Sequence, residues 1–498
     1  MKATPLRCAT FLGIASLAIS LSVAAPSHAA SLPAPLSELG TDPALVGEWS
    51  APFDIGGIAI HATLTHNGDV LFFQYVEGQA GVDHTSYAAT WNYRTGATAQ
   101  APFPYQRDVF CAGNNVLPDG RVYIAGGHDH TTGKKQDAVG VAETDTYDPT
   151  TRTWSPGPLL SQKRWYPTNI GLPNGRTLTF GGQAQAGAAS NAVDEYNPDT
   201  NTMTQLASTA TKPVGLYPRM HVMPNGKVLK TGPQRMSAYF NPATSSWSNV
   251  ASMLYGSRGR GNSVLLPGAD RVLVVGGQSS GSATPTGTAE IIDTSVAAPK
   301  WRYTGSLNYP RLLANTVNLP DGQVLIVGGG AQFKYVSPVK IPELYNPATE
   351  TWTALAPQQA SRMYHSTALL LPDGRVLSAG QDDGPLATYG EIFSPPYLFK
   401  GPRPTISDAP STIGYGQQLT IASPNATDIA SVTLIKAGSV THQIDTDQRS
   451  VPLSFTATDG ALTAQAPPNA NVAPPGYYML FIVDNNGVPS IAPWTHVG

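Results

Sequence analysis

Cysteine and charge are both scarce in this 498-residue chain. It contains only two cysteines, and charged residues make up 13% of it, with a net charge of -3. So few cysteines exclude a disulfide scaffold and a cysteine-based metal cage. The weak net charge removes the usual electrostatic argument for nucleic-acid binding, so no nucleic-acid partner is expected. Glycine and proline are abundant, at 49 and 44 residues, but 41% of the chain is hydrophobic. This combination predicts many short strands and turns around a large core rather than disorder.

The N-terminus has the pattern of a secretion signal. Lys2 and Arg7 precede an apolar run from Ala9 to Ala25, and small residues follow at Ser27 and Ala29. Residues 1–29 are therefore predicted to be a signal peptide that is removed on export. A retained membrane anchor is the alternative, but no second apolar run is long enough for a stable membrane span. The mature protein is expected to be secreted, periplasmic or at the cell surface.

A turn motif recurs seven times at a spacing of about fifty residues. Each copy places a Pro-Asp-Gly-like turn before an apolar run, as in LPDGRVYIAGG and LPNGRTLTFGG, and the fifth copy is altered around Gly268. Most copies are followed by a second hairpin signal, such as YDPTTRTW or YNPATETW. Four strands per unit resemble the kelch repeat, and seven units predict an all-β, seven-bladed propeller over residues 45–400. The segment GEWSAPF, from Gly47, is expected to complete the last blade.

The period ends near Pro402, and the last hundred residues alternate in short strands. Segments such as QQLTIAS and YYMLFIVD carry no double-glycine motif. We therefore expect residues 402–498 to form a separate immunoglobulin-like β-sandwich rather than an eighth blade.

The repeat also aligns side chains around the propeller axis. Cys111, Tyr166, Tyr217 and His365 each lie nine residues before a turn glycine, and Tyr364 precedes His365. Because these positions begin the innermost strands, their side chains are expected to converge at one end of the channel. The loops after the double glycines, which begin at His128-Asp129-His130, Gln183, Gln278 and Gln381-Asp382-Asp383, should surround the same point. Imidazole and phenolate suit Cu(II), so this cluster predicts a copper site.

At these residues the chain resembles the galactose oxidase and glyoxal oxidase family of copper-radical oxidases. The matching segments are DVFCAG, KRWYPT, RMYHSTALLLPDGRV and VTHQIDTDQRSVPL. The resemblance implies one copper ion held by Tyr166, Tyr364, His365 and His442, and a thioether bond between Cys111 and Tyr166. Because His442 belongs to the C-terminal domain, a hairpin of that domain must reach into the propeller channel.

The resemblance also implies the chemistry. Tyr364 accepts the substrate proton, the Cys111–Tyr166 radical cofactor abstracts hydrogen, and O2 is reduced to H2O2. Gln183 and Ala184 stand where galactose oxidase has a stacking tryptophan, and the short segment between the predicted signal and the propeller predicts that its N-terminal carbohydrate module is absent. Small aldehydes or primary alcohols are therefore the expected substrates, closer to glyoxal oxidase. A copper-delivery protein is a candidate partner, and a monomer is expected.

Several residues have a second interpretation. Trp165 either serves only in packing or shields the radical tyrosine, Tyr166. Tyr217 is expected to face the channel, and the family resemblance assigns it no role. His128 and His130 form either a second metal site or, more simply, a substrate-lining rim. The whole chain has an alternative interpretation as a non-catalytic kelch scaffold that binds a carbohydrate or protein at the cell surface.

Overall fold

Seven blades of antiparallel strands surround a central channel in the computed structural model; five of their sheets have four strands, the first blade's sheet has six and the last blade's has five. The structure describes residues 40–75, 85–129 and 139–498, so the predicted signal peptide lies outside the described residues. The positive φ of the turn glycines, such as Gly120 and Gly175, lets the inner hairpins reverse in tight turns, for example between Leu117 and Arg121, whose backbones are hydrogen-bonded. Within the described ranges no helix is long and apolar enough to cross a membrane.

Each blade runs from an innermost strand to an outermost one in chain order, and the seventh is completed from the N-terminus. A short helix, α1 (Pro43–Val46), comes first. The strands of the first three blades, and those that precede them, are β1 (Glu48–Trp49), β2 (Phe53–Asp54), β3 (His61–Leu64), β4 (Asp69–Phe73), β5 (Ala88–Asn92), β6 (Thr98–Gln100), β7 (Gly113–Val116), β8 (Val122–Ala125), β9 (Thr144–Asp148), β10 (Thr153–Pro156), β11 (Thr168–Gly171), β12 (Thr177–Phe180), β13 (Gln183–Gln185), β14 (Ala188–Ala189), β15 (Asp194–Asn197) and β16 (Thr202–Gln205).

The next four blades follow the same order. Their strands are β17 (Arg219–Val222), β18 (Val228–Gly232), β19 (Met236–Asn241), β20 (Ser246–Ser252), β21 (Asn262–Leu265), β22 (Arg271–Val275), β23 (Ala289–Asp293), β24 (Trp301–Thr304), β25 (Leu312–Asn318), β26 (Val324–Gly330), β27 (Glu343–Asn346), β28 (Thr351–Ala354), β29 (Ser366–Leu370), β30 (Val376–Gly380) and β31 (Tyr389–Ser394). In the last blade β1 pairs with β31, with Glu48 opposite Ser394. The N-terminal strand therefore closes the ring, as the sequence predicted.

The remaining strands form a sandwich of two sheets. They are β32 (Thr412–Ile413), β33 (Gln418–Ala422), β34 (Ile429–Lys436), β35 (Ser439–Thr441), β36 (Ile444–Asp445), β37 (Arg449–Leu453), β38 (Phe455–Thr458), β39 (Ala461–Gln465), β40 (Gly476–Asp484) and β41 (Trp494–Val497). One sheet has the order β32-β41-β40-β34-β37 and the other β33-β39-β38. Three short 3-10 helices lie within the described chain, at Ser208–Ala210, Pro396–Phe399 and Ala426–Asp428. The predicted all-β architecture of propeller and sandwich is confirmed.

The hairpin β35–β36 leaves the sandwich and enters the propeller. Strand β35 pairs with β3, the innermost strand of the first blade, and His61 lies opposite Thr441. This hairpin carries His442 between its two strands. The expected insertion into the channel is thus confirmed.

A buried arginine braces the start of the inner strand in several blades. Each pairs with an acidic residue on the third strand of its own blade; the pairs are Arg164 with Asp194, Arg258 with Glu290, Arg311 with Glu343 and Arg362 with Glu391. Arg164 and Asp194 are both fully buried, and the guanidinium also donates to the carbonyl oxygens of Gly181 and Ala192. Buried charges are tolerated only when paired and hydrogen-bonded in this way. The arginines therefore fix the segments that precede the inner strands.

Candidate copper site

Six residues at the starts of inner strands share a left-handed backbone conformation. They are Cys111, Tyr166, Tyr217, Arg260, Leu313 and His365, with φ between 41° and 65°. Hydrogen bonds join neighbours: the Tyr166 N–H donates to the Cys111 carbonyl at 3.0 Å, and the Tyr217 N–H donates to that of Tyr166 at 2.8 Å. A non-glycine residue in this conformation costs about 1–2 kcal/mol. This conformation recurs at equivalent positions of several blades. Counting back nine residues from the turn glycines therefore located residues of the site.

The loops after the double glycines pair with these residues, as expected from the hairpin geometry. Trp165 and Gln183 exchange backbone hydrogen bonds at 2.9 Å, and the Gln381 N–H donates to the His365 carbonyl at 2.9 Å. The loop from Gln278 pairs with Gly259 in the same manner.

Cys111 and Tyr166 belong to one small buried cluster with Tyr217 and Ile444. Burial raises the pKa of the Cys111 thiol well above its usual range. It also raises that of the Tyr166 phenol, with the neighbouring Cys111 and Tyr364 adding to the effect. A buried phenol of this kind stays protonated unless a cation lies beside its oxygen.

Tyr364 and His365 reach the same point from the seventh blade. The Tyr364 hydroxyl is in hydrogen-bond contact with the Tyr166 hydroxyl. The His365 ring is 3.8 Å from the Tyr364 ring and 4.5 Å from the His442 ring, centroid to centroid. His365 is buried, and its Nε2 has no hydrogen-bond partner among the described residues.

His442 completes the cluster from the C-terminal hairpin, and both of its ring nitrogens have neighbours. Its Nδ1 lies 2.6 Å from the Thr441 hydroxyl, which is also 3.2 Å from the Ile60 carbonyl. Its Nε2 lies 3.4 Å from Cys111 Sγ and so faces the candidate site. The contact with Thr441 orients the ring and leaves Nε2 as the atom that can bind a metal.

His61 is a residue of this site that the sequence analysis did not identify. Its Nε2 accepts the Cys111 N–H at 3.1 Å, and its Nδ1 lies 3.1 Å from Asn114 Oδ1. Asn114 Nδ2 in turn donates to Ser439 Oγ, on the inserted hairpin, at 2.6 Å. Burial lowers the pKa of His61 to about 3, so its ring is neutral. His61 thus holds the Cys111 backbone and connects it to the hairpin that carries His442.

Asp382 is the second such residue, since the sequence placed it in a surrounding loop without a role. Its Oδ2 lies 2.7 Å from His365 Nδ1, and its Oδ1 accepts the Tyr335 hydroxyl. Burial opposes ionisation of Asp382, but the hydrogen bonds with His365 and Tyr335 lower its pKa below the usual value. Because the Asp382 carboxylate contacts Nδ1, it fixes the orientation of the His365 ring and leaves Nε2 free to bind a metal.

The other predicted residues lie around this cluster. The Trp165 ring is 4.1 Å from the Tyr166 ring, so it covers one side of that tyrosine. Tyr217 lies 4.6 Å from the Tyr166 ring and 4.9 Å from the His442 ring, and its hydroxyl donates to the Ala112 carbonyl at 2.9 Å. His128 is buried with its ring 5.7 Å from that of Trp165. His130 lies outside the described residues.

The donor set fits a copper ion. Two phenol oxygens are in contact with each other, and the ligand atoms of Cys111, His365 and His442 lie within 4.8 Å of one another. Imidazole nitrogens and phenolate oxygens are suitable ligands for Cu(II). His442 Nε2, which faces Cys111, and the unpartnered His365 Nε2 supply the two nitrogens.

Two family models match the chain. The model described as glyoxal oxidase N-terminus matches residues 74–395, and the galactose oxidase-like early set domain matches residues 403–497. The first covers most of the propeller and the second most of the sandwich.

Individual relatives agree with these models. A galactose oxidase from Gibberella zeae is 28% identical, over 90% of this chain and 70% of the relative. An aldehyde oxidase GLOX from Vitis pseudoreticulata is 31% identical, over 80% of this chain and 83% of the relative. Among solved structures, a fungal alcohol oxidase in complex with copper superposes with a TM-score of 0.80 at 26% identity. That superposition covers 91% of this chain and 99% of the other.

Proposed function

Because the chain belongs to the glyoxal oxidase and galactose oxidase family of copper-radical oxidases, we propose that it oxidises small aldehydes or primary alcohols with O2 and releases H2O2. The convergence of Tyr166, Tyr364, His365 and His442 beside the buried Cys111 supports this proposal. A scaffold that binds partners at a propeller face has no need of these five side chains at one buried point.

In this proposal Tyr166, Tyr364, His365 and His442 hold the metal. A bound copper ion would supply Lewis acidity and one of the two oxidising equivalents. Tyr364, whose own proton is released when the metal binds, takes the substrate proton; its oxygen lies in contact with that of Tyr166. Cys111 and Tyr166 carry a thioether bond, and the linked phenol supplies the second oxidising equivalent after O2 has oxidised it to its radical. Trp165 covers this phenol and limits its contact with water.

The relatives are named as oxidases of an aldehyde, of a sugar and of alcohols, so their names alone do not identify the substrate class of this protein. The loop after the double glycine of the third blade supports small substrates, since Gln183 and Ala184 offer no aromatic platform for a sugar ring. The copper-loaded protein should be screened for peroxide release with glyoxal, methylglyoxal, glycolaldehyde, primary alcohols and galactose. Turnover of galactose alone would contradict the proposed preference. Peroxide from none of them would contradict the oxidase function.

The role of His442 is tested by the His442→Ala variant. Loss of both copper affinity and peroxide release is expected, because this residue provides one of two nitrogen ligands. Tyr303→Ala, an exposed position on the outermost strand β24, serves as the control and should retain both. Full copper binding in His442→Ala would refute the assignment.

We further infer that the protein acts as an exported monomer with residues 1–29 removed. The charged start and the apolar run of the N-terminus support export. N-terminal sequencing of the protein from its native host tests the cleavage, and light scattering tests the oligomeric state. A mature protein that begins at Met1, or a stable dimer, would contradict this inference.

A further inference from the structure

Arg260 occupies the fifth-blade position of the ring that includes Tyr166 and His365. Its φ is 57°, and its carbonyl accepts the Leu313 N–H at 2.9 Å, as the carbonyls of Cys111 and Tyr166 accept from their own neighbours. By the repeat of the fold, Arg260 therefore lies at the level of the candidate copper site.

The Arg260 side chain is held against an aromatic ring beside that site. The guanidinium carbon is 3.6 Å from the centroid of Phe333, and the Phe333 ring is 5.7 Å from the Tyr364 ring. Stacking of this kind stabilises a cation and covers one face of the guanidinium. The N–H groups at its edges remain available.

The donors of Arg260 are unused within the described part of the chain. No hydrogen bond or ion pair of its guanidinium is present there, although Arg258, two residues earlier, binds Glu290 at 2.7 Å. Asp382, the acidic residue of the site described above, is engaged by His365 and Tyr335. Arg260 is thus a partly buried cation that lacks an anion.

We propose that Arg260 binds the carboxylate of the substrate, and that the site prefers short aldehydes bearing a carboxylate over neutral aldehydes of the same length. The fork of a guanidinium matches a carboxylate in a bidentate hydrogen-bonded pair. With the carboxylate on Arg260, the aldehyde end of a short chain is directed toward Tyr364 and Tyr166. This inference rests on the proposed oxidase function and specifies its substrate class.

The reaction balances without another reactant. The aldehyde adds water to form its hydrate, which loses two electrons and two protons to become a carboxylic acid. One O2 accepts both electrons and both protons and becomes H2O2. A carboxylate-bearing aldehyde therefore yields a dicarboxylic acid.

Two pairs of probes test the proposal in the copper-loaded full chain. Glyoxylate is compared with glycolaldehyde, and succinic semialdehyde with butanal. In Arg260→Gln the KM of at least one charged aldehyde should rise about ten-fold or more, because hydrogen bonds between charged groups are lost. The KM of both neutral aldehydes and the copper affinity should stay within about two-fold of the wild type. Arg260→Lys keeps the positive charge but not the planar guanidinium with its paired N–H donors. Its KM for the charged aldehyde should therefore lie between those of the wild type and Arg260→Gln.

The matched control is Arg121→Gln, which removes one positive charge from an exposed hairpin turn. It should leave every KM unchanged. Equal changes for charged and neutral aldehydes in Arg260→Gln, or no change for any of them, would overturn the proposal while leaving the oxidase function intact.

If the wild type releases no peroxide from any probe, the oxidase function fails and binding becomes the test. Copper(II) should then broaden the methyl NMR signal of acetate in the wild type but not in Arg260→Gln. Identical broadening in both proteins, or none in either, would overturn the Arg260 proposal independently of turnover.

Discussion

Replacing Asp382 with asparagine should weaken copper binding without disturbing the fold. The carboxylate receives two donors, the Tyr335 hydroxyl on Oδ1 and His365 Nδ1 on Oδ2 at 2.7 Å. An amide has only one acceptor oxygen, so asparagine turns its NH2 group toward one of these donors. Either His365 loses its partner or its ring reorients. Loss of such a supporting contact costs about 10- to 100-fold in metal affinity, or about 1.4–2.7 kcal/mol.

The assay is calorimetric titration of Cu(II) against a competing chelator. Asp383→Asn is the control, because it removes the same charge from an exposed neighbour. Tyr335→Phe should have a smaller effect than Asp382→Asn, since it leaves the contact of Asp382 with His365 in place. Copper affinity of Asp382→Asn equal to that of the wild type would refute the role given to Asp382. So would an equal loss in Asp383→Asn.

Two further predictions concern stability and pH. Arg164→Met should lower the free energy of unfolding by about 3–5 kcal/mol in a denaturant titration, because it leaves Asp194 buried and unpaired. Arg176→Met breaks the exposed pair with Glu195 and should cost at most about 1 kcal/mol; similar costs for the two variants would contradict the bracing role of Arg164. Copper binding should release protons and strengthen as pH rises from 6 to 9. Burial raises the pKa of the Tyr166 and Tyr364 phenols, which are protonated before the metal binds, whereas burial lowers the pKa of His442, which is already neutral. Calorimetry in buffers of different ionisation enthalpy measures this release, and pH-independent copper affinity would refute it.

The sequence located much of the site because a repeat converts distance along the chain into position around an axis. Cys111, Tyr166 and His365 occupy equivalent positions in their blades. In the structure, the residue at this position has a left-handed backbone conformation. Arg260 occupies the same position, but its turn differs: Ala269 rather than a glycine stands nine residues after it. That alteration in the fifth copy hid Arg260 from a search for turn glycines.

The remaining residues could not be placed by periodicity. His442 was assigned only through the family resemblance, because its hairpin belongs to a domain without the repeat. His61 acts through a hydrogen bond to the Cys111 backbone, and Asp382 through a contact with His365. Such contacts depend on how loops from different blades meet, and a single sequence does not encode them in a regular spacing.

The most direct test of the proposed oxidase site is a mass measurement of the peptides that contain Cys111 and Tyr166. After aerobic copper loading and digestion, the two peptides should appear as one linked species. Its mass should be the sum of their masses less two hydrogen atoms. The linked species should be absent from copper-free protein and from Cys111→Ala. Recovery of Cys111 as a freely alkylated thiol after copper loading would contradict the radical-oxidase assignment.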